Sequence, residues 1–305
     1  MASTGQTEEK KMPSEEELRE VLRFLGIPDA GNAGLTAFTS DEDGSQYAVW
    51  LVLNGEERYV LKKAKAYEKE VYSTFFRDKK SYVPELLGSC SLNGDDWLLL
   101  EYCEGDDLRY CDRPRLIKAL DALCEMQEEF WQRSGLYDRA VTMDRALEAA
   151  EERGRWLGSG LLEKAYAVYL EAYKETPRSL CHDDLLPINL LVGERAVLID
   201  WEYGGVLPYL TSFARLIAHG RDDRNYYFCL SEADRAFAVD YFYERLPGRH
   251  GISYDEYRRT LGLFLFYEYC EWIMLGNRYD GRDDERFGYY MKLAEDAAKR
   301  IVGER

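Results

Sequence analysis

The fold is decided by a stretch of sequence that reads CHDDLLPINLLV over residues 181–192 and AVLIDWE over residues 196–202. Both segments contain short, very apolar runs, and acidic and amide side chains lie at the turns that flank those runs. A buried or cleft-lining carboxylate costs free energy unless it is paired or binds a metal ion. A set of carboxylates and an Asn in such positions therefore indicates a functional site.

The spacing of these residues matches the needs of phosphoryl transfer. That reaction requires one carboxylate to orient and deprotonate a hydroxyl, and oxygen ligands that hold Mg²⁺ against the phosphates. Asp184 and Asn189 lie five residues apart, so that one loop can present both side chains. The turn at Gly193 then brings Asp200 back beside Asn189, which supplies a carboxylate and an amide oxygen for Mg²⁺. Turn formation alone explains any one of these residues, but it explains the whole set poorly.

The motif His182-x-Asp184-x-x-x-x-Asn189, followed by Ile-Asp-Trp-Glu over residues 199–202, resembles the aminoglycoside phosphotransferase and choline kinase superfamily. Within that superfamily the sequence is most similar to the bacterial choline kinase-like branch. The resemblance covers residues 31–275, and residues 182–204 carry its specific part. It implies a protein-kinase-like fold and an ATP-dependent small-molecule kinase.

The resemblance also implies a role for each residue of the motif. Asp184 would be the catalytic base, and Asn189 and Asp200 would bind Mg²⁺. His182 would brace the loop rather than carry a proton, and Glu202 would help to hold the metal ion or the substrate. The implied cofactors are ATP and Mg²⁺, and the implied partners are ATP or GTP and a small-molecule acceptor.

Turn signals and hydrophobic periodicity predict the elements outside the motif. A capping box formed by Ser14 and Glu17 opens a helix that runs to about Leu25. Asn54-Gly55 and Asn93-Gly94 are typical of tight hairpin turns. Strands are predicted over residues 35–39, 46–53, 58–62, 85–92, 96–101, 189–192 and 196–199, and helices over residues 66–76, 116–131, 146–173, 232–246 and 254–275.

This order of elements predicts an α+β chain with the two lobes of a protein-kinase-like fold. Residues 1–12 are expected to form a flexible tail. A small antiparallel β N-lobe that binds nucleotide is expected over residues 13–102. A larger, mainly helical C-lobe that carries catalysis and substrate binding is expected over residues 103–305.

The N-lobe should supply the lysine that pairs with the phosphates of ATP in the family. Lys62 ends the third predicted strand at the matching position, and Lys63 should point to the opposite face. Glu70 on the following helix is the preferred carboxylate partner of this lysine, with Glu68 as its rival. A lysine at a strand end is otherwise an ordinary solvated residue.

Three further positions are compared with the family. The backbone groups of Glu101 and Cys103 would hydrogen-bond adenine at the hinge between the lobes. The loop over residues 39–45, which should cover the phosphates, is acidic and lacks the Gly-rich pattern. Ser212 takes a position where the family has an Asp, and it is expected to cap the helix that begins there.

Substrate identity should come from the helix near the C-terminus. Helical spacing places Glu268 and Trp272 on an otherwise apolar stripe, and Glu271 is close by. A Glu among aromatic rings suits an ammonium group, so a cationic acceptor of the choline or ethanolamine kind, or an aminoglycoside, is expected. The alternative is a packing helix whose Glu pairs with an Arg from a neighbouring helix.

The composition excludes several other classes of protein. A formal net charge of −17 argues against binding to nucleic acid or to anionic membranes. Seven Cys without a CxxC pair argue against a disulfide framework or a zinc site. The N-terminus has no apolar secretory segment, so a cytoplasmic location is expected. A catalytically silent nucleotide-binding pseudokinase that acts through protein contacts is the alternative function.

Overall fold

The computed structural model describes residues 12–40 and 44–303. The chain divides into two compact units, of which the first comprises Met1–Lys65 and Glu85–Tyr102 and the second comprises Ala66–Pro84 and Cys103–Arg305. The segment Ala66–Pro84 groups with the second unit, whereas the sequence placed it in the N-lobe. The predicted flexible tail lies, apart from Met12, outside the described residues.

The first unit is an antiparallel sheet with one helix packed on it. The sheet has the strand order β1-β2-β3-β5-β4, and the side chains of Leu18, Val21 and Leu22 on the helix are buried with Trp50 and Leu61 of the sheet. The predicted capping box of Ser14 and Glu17 is present at the helix start. The elements are α1 (Glu15–Phe24), β1 (Gly34–Thr39), β2 (Gln46–Asn54), β3 (Glu57–Lys63), β4 (Leu86–Leu92) and β5 (Asp95–Glu101).

The second unit is mainly helical and contains two small antiparallel sheets, ordered β10-β7 and β6-β8-β9. Its helices are α2 (Glu68–Phe75), α3 (Arg113–Phe130), α4 (Met143–Gly154), α5 (Gly160–Glu175), α6 (Leu210–Ala218), α7 (Glu232–Arg245), α8 (Tyr254–Tyr279) and α9 (Glu285–Gly303). Its strands are β6 (Asp106–Asp107), β7 (Arg178–Cys181), β8 (Leu190–Val192), β9 (Ala196–Leu198) and β10 (Gly205–Pro208). The predicted α+β class, with a β-rich N-terminal part and a helical C-terminal part, is confirmed.

The hairpin β8–β9 positions the end of the sequence motif. The hairpin predicted from the sequence is present, and its two strands pair Leu190 with Leu198 and Val192 with Ala196. Gly193 makes the turn, and a Cβ at this residue would lie 2.2 Å from the Glu104 carbonyl oxygen. Only Gly therefore lets the connector after β5 pass this close to the hairpin.

The single helix predicted over residues 146–173 is wrong, because the structure contains two. Helix α4 ends at Gly154 and α5 begins at Gly160. Between them Gly158 has a φ of +66°, a left-handed backbone conformation that a right-handed helix cannot continue. Gly154 also lets the ring of Tyr166 approach, since a Cβ there would lie 2.7 Å from that ring. Within residues 12–40 and 44–303, no helix has the length and apolar composition of a membrane span.

Candidate active site

The loop after β7 begins with a buried histidine. The His182 side chain is fully buried, and its Nε2 lies 2.7 Å from the Ile199 carbonyl oxygen. The backbone N–H of His182 donates to the Ser212 hydroxyl over 2.9 Å. The imidazole also contacts the ring of Trp201 at 4.7 Å between centroids. His182 thus joins β7 to α6 and to the segment that follows β9.

Asn189 and Asp200 are brought together by backbone hydrogen bonds. The N–H of Ile199 donates to the Asn189 carbonyl over 3.0 Å, so that Asp200 follows directly beside Asn189. Asp200 itself has a φ of +67°. The Asn189 side chain donates through Nδ2 to the Asp184 carbonyl over 2.8 Å, which leaves Oδ1 as the acceptor end of the amide. An amide oxygen and a carboxylate are hard oxygen ligands, so these residues fit a Mg²⁺ ion.

The carboxylate of Asp184 forms an ion pair that the sequence did not reveal. Arg215 on α6 donates to Asp184 Oδ1 through Nε at 3.1 Å and through Nη2 at 2.9 Å. The Asp184 side chain remains partly exposed, whereas that of Arg215 is 14% exposed. The predicted base is therefore held at one oxygen by a largely buried guanidinium.

The opposite side of the Arg215 guanidinium binds two carboxylates of α8. Its Nη1 donates to Glu268 Oε2 over 2.9 Å, and it also donates to Glu271. Burial acts to lower the pKa of Arg215, but Glu271, Glu268 and Asp184 outweigh it and hold that pKa well above its usual range. Burial acts to raise the pKa of Glu271, and Arg215 and His219 bring it below its usual value.

These contacts correct the predicted role of α8. Glu268 is 5% exposed and is paired with Arg215, as the alternative of a packing helix with a neighbouring Arg required. Trp272 is also occupied, because its ring stacks on Tyr290 and the Arg286 guanidinium lies 4.1 Å from its centroid. Glu271 is also paired with Arg215, but its carboxylate is more exposed than that of Glu268, at 23% against 6%.

A second group of residues near the loop was missed by the sequence analysis. Arg153 at the end of α4 donates to the Tyr267 hydroxyl over 2.8 Å, and the Tyr267 ring stacks on Tyr169 at 4.6 Å. Burial raises the pKa of Asp183 to about 7, with Arg153 opposing this and Glu268 reinforcing it. Asp183 follows His182 directly and has a φ of +61°, in the left-handed region.

In the first unit, Lys62 occupies the interior of the sheet. It pairs with Val49 of β2 and with Leu98 of β5, and it is 7% exposed. Lys63 instead forms an ion pair with Asp95 at 2.6 Å, which agrees with the expected alternation of faces. Lys62 is therefore a buried residue of a central strand and not a solvated edge residue.

In the second unit, the two carboxylates of α2 have different surroundings. Glu70 lies partly exposed and accepts from the Ala140 N–H over 3.0 Å. Glu68 is fully buried, and its Oε1 accepts from the Trp201 N–H over 3.3 Å. Tyr67 donates its N–H to the Glu202 carbonyl over 3.2 Å. The start of α2 is thus attached to the segment that carries Asp200, and Glu68 makes the buried contact.

The hinge residues and Ser212 differ in part from expectation. The Glu101 N–H, one of the two backbone groups predicted to contact adenine there, already donates to the Glu85 carbonyl over 2.9 Å. Cys103 Sγ accepts from Arg195 at 3.7 Å. The capping role predicted for Ser212 is wrong, because α6 begins at Leu210 and the Ser212 hydroxyl instead accepts the His182 N–H. The predicted phosphate-covering loop lies, at residues 41–43, outside the described residues.

Comparisons with known proteins agree with the motif. The family described as "Phosphotransferase enzyme family" matches residues 35–257. Protein LicA of Haemophilus influenzae is 26% identical over 147 residues, which cover 47% of this chain and 52% of that protein. A second LicA of the species matches over 34% of its length, so the chain spans about half or less of these relatives. The superfamily predicted from the motif is confirmed by the family match.

Solved structures share the fold. A structure of a Ralstonia eutropha protein has a TM-score of 0.63 at 14% identity, with 94% of this chain and 97% of that chain covered. Aminoglycoside phosphotransferase APH(3'')-Id from Streptomyces rimosus, solved in complex with ADP and streptomycin, has a TM-score of 0.54 at 16% identity, with 84% and 98% covered. Identities this low support the fold and not the substrate.

Proposed function

The chain belongs to the phosphotransferase enzyme family, and from this premise we propose that it is a Mg²⁺-dependent kinase that transfers the γ-phosphoryl group of ATP to a hydroxyl of a small, cationic metabolite. The observation that carries the proposal is the arrangement of Asp184, Asn189 and Asp200 on one loop and one hairpin. Phosphoryl transfer depends mainly on positioning and charge stabilisation, and such an oxygen-rich group is suited to both.

In the proposed reaction, Asp184 orients the acceptor hydroxyl and takes its proton. The hydroxyl oxygen forms a bond to the γ-phosphorus, and the bond between that phosphorus and the bridging oxygen of ADP breaks. Asn189 and Asp200 would hold Mg²⁺, which when bound supplies positive charge to the phosphates. His182 is assigned a bracing role from its buried contacts with Ile199 and Ser212.

The proposed nucleotide-binding residues follow from burial. Lys62 is retained as the phosphate-binding lysine, because it is the buried lysine of β3, whereas its neighbour Lys63 forms an ion pair with Asp95. On α2 we favour Glu68 over Glu70, because Glu68 is the buried carboxylate and holds the backbone next to Asp200. The Glu101 carbonyl and the Cys103 backbone are retained as the adenine contacts.

The proposed acceptor is a cation of the choline or ethanolamine kind, or an aminoglycoside. Glu271 is a partly exposed carboxylate, and the Tyr267 ring belongs to the same surroundings, because Glu271 acts on the pKa of its hydroxyl. Carboxylates beside aromatic rings attract an ammonium group. These residues replace Glu268 and Trp272 as the proposed substrate contacts.

A screen of acceptors tests the proposal. The purified chain, ATP and Mg²⁺ should be incubated with choline, ethanolamine, amino sugars and aminoglycosides, and products should be identified by mass spectrometry. We expect at least one cationic alcohol to gain a phosphoryl group as ADP forms. Mg²⁺-dependent ATP binding without any phosphorylated product would instead favour the silent nucleotide-binding protein.

A further inference from the structure

Arg215 connects Asp184, the proposed base, to helix α8. Two of its nitrogens donate to the same oxygen of Asp184, at 3.1 and 2.9 Å. In the described part of the chain, the hydrogen bonds to the Asp184 carboxylate are made to Oδ1, and Oδ2 is the oxygen that does not contact Arg215. A guanidinium is planar and rigid, so two contacts from one of its edges hold Oδ1 in place.

The Arg215 guanidinium is itself held in place by a carboxylate of α8. Its Nη1 binds Glu268 over 2.9 Å, and Nε2 of His219 lies 3.2 Å from the same Glu268 oxygen. The Nδ1 of His219 lies 3.1 Å from the Tyr290 hydroxyl. The side chains of Arg215, Glu268 and His219 are at most 14% exposed. Helices α6, α8 and α9 therefore set together where the Asp184 carboxylate lies.

We propose that Arg215 is a positioning residue for phosphoryl transfer, which holds Asp184 so that Oδ2 faces the acceptor hydroxyl, and that Glu268 serves as the anchor of Arg215. The inference rests on the proposed function, because it assigns Asp184 the hydroxyl proton. It gives the buried carboxylate of α8 a task other than substrate binding. A displacement of about 1 Å in a reacting group can cost about 10²-fold in rate.

The test compares Arg215, which lies on α6, with Arg235, which lies on α7 and contacts the end of α6. Arg215→Lys keeps the positive charge but loses the planar pair of contacts to Asp184. The double variant, Arg215→Gln with Glu268→Gln, removes both charges of the buried ion pair. Arg235→Lys is the matched control, because Arg235 donates to the Ile217 and Gly220 carbonyls at the end of α6 and does not contact Asp184. Thermal melting should confirm that each variant is folded.

For the double variant we expect kcat to fall about 10²-fold while KM for ATP and for the acceptor changes less than about threefold. Arg215→Lys should recover part of the loss, and Arg235→Lys should lower the melting temperature without lowering kcat. Unchanged kcat in folded Arg215 variants would overturn the inference. A raised KM for the acceptor with unchanged kcat would overturn it too, because Arg215 would then be a substrate ligand.

The same variants should be compared in ATP hydrolysis without acceptor, where water takes the place of the hydroxyl. If the wild type phosphorylates an acceptor and the Arg215 variants match it, the inference fails and the proposed function stands. If the wild type transfers phosphate neither to an acceptor nor to water, the proposed function fails, and the inference fails with it.

Discussion

The loop that carries Asp184 and Asn189 and helix α8 both present carboxylates, but the contacts that hold the two regions in place span different distances in sequence. Asn189 binds the Asp184 carbonyl five positions away. Glu268 and Glu271 of α8 bind Arg215 at separations of 53 and 56 positions. Local geometry therefore shapes the backbone of the loop, whereas the packing of helices decides which partners the Asp184 carboxylate and the acidic residues of α8 contact.

The largest loss of activity should come from changes in the loop and hairpin that carry Asp184, Asn189 and Asp200. We expect Asp200→Asn to lower phosphoryl transfer by about 10²–10³-fold, because it removes a carboxylate from the proposed Mg²⁺ ligands. The Mg²⁺ concentration for half-maximal rate should rise in a titration of initial rates.

Glu202→Gln is the matched variant two positions away, and its effect should stay below about tenfold. A larger loss in Glu202→Gln than in Asp200→Asn would transfer the metal-binding role to Glu202.

Changes to the two carboxylates of α2 should cause losses of activity of intermediate size. Glu68→Gln should lower kcat/KM by about 10–100-fold, since Glu68 is buried and fixes the backbone beside Asp200. Glu70→Gln should change kcat/KM less than about threefold, because the amide oxygen can still accept the Ala140 N–H. Steady-state kinetics with ATP as the varied substrate would measure both, and the reverse order of effects would restore Glu70 as the functional residue.

Helix α8 offers a direct comparison of a buried and a partly exposed carboxylate. Glu268→Gln should lower the free energy of unfolding by about 1–3 kcal/mol, because it weakens a buried charged hydrogen bond. Glu271→Gln should mainly raise KM for a cationic acceptor, by about tenfold, since the exposed part of Glu271 is the proposed contact. Denaturant unfolding and acceptor titrations separate the two effects. An acceptor KM that responds to Glu268 alone would return the substrate role to that residue.

Much of the loop and sheet could be predicted from the sequence because their signals are local. The motif over residues 182–202, the hairpin at Gly193 and the Asn-Gly turns each depend on neighbouring residues. The sequence did not show whether Glu68 or Glu70 is buried, because this depends on how α2 is rotated against its neighbours. It also did not show that Arg215 reaches Asp184 or that Arg286 covers Trp272, since these contacts require the packing of distant helices.

The smallest effect concerns the pH dependence of stability through Asp183. Burial raises the pKa of its carboxyl from 3.8 to about 7. Between these values the folded chain keeps a proton that the unfolded chain has released. The contribution of this group is therefore fully present below about pH 4 and is lost as pH rises through 7.

Asp183→Asn should remove this dependence. The melting temperature of the variant relative to the wild type should increase by a few degrees between about pH 5 and about pH 8, as measured by differential scanning fluorimetry. The exposed Asp138 provides the control, since Asp138→Asn should show no such trend. A difference in melting temperature between Asp183→Asn and the wild type that stays constant with pH would contradict a carboxyl that titrates near neutrality.

The proposed kinase activity is tested most directly by Asp184→Asn, assayed beside the wild type for phosphorylated acceptor and for ADP. We expect the wild type to form both in equal amounts and the variant to lose about 10²–10⁴-fold in rate, the range for a general base, while the Kd for ATP stays within about twofold. Turnover by Asp184→Asn at the wild-type rate, or phosphate transferred to protein instead of a small molecule, would contradict it.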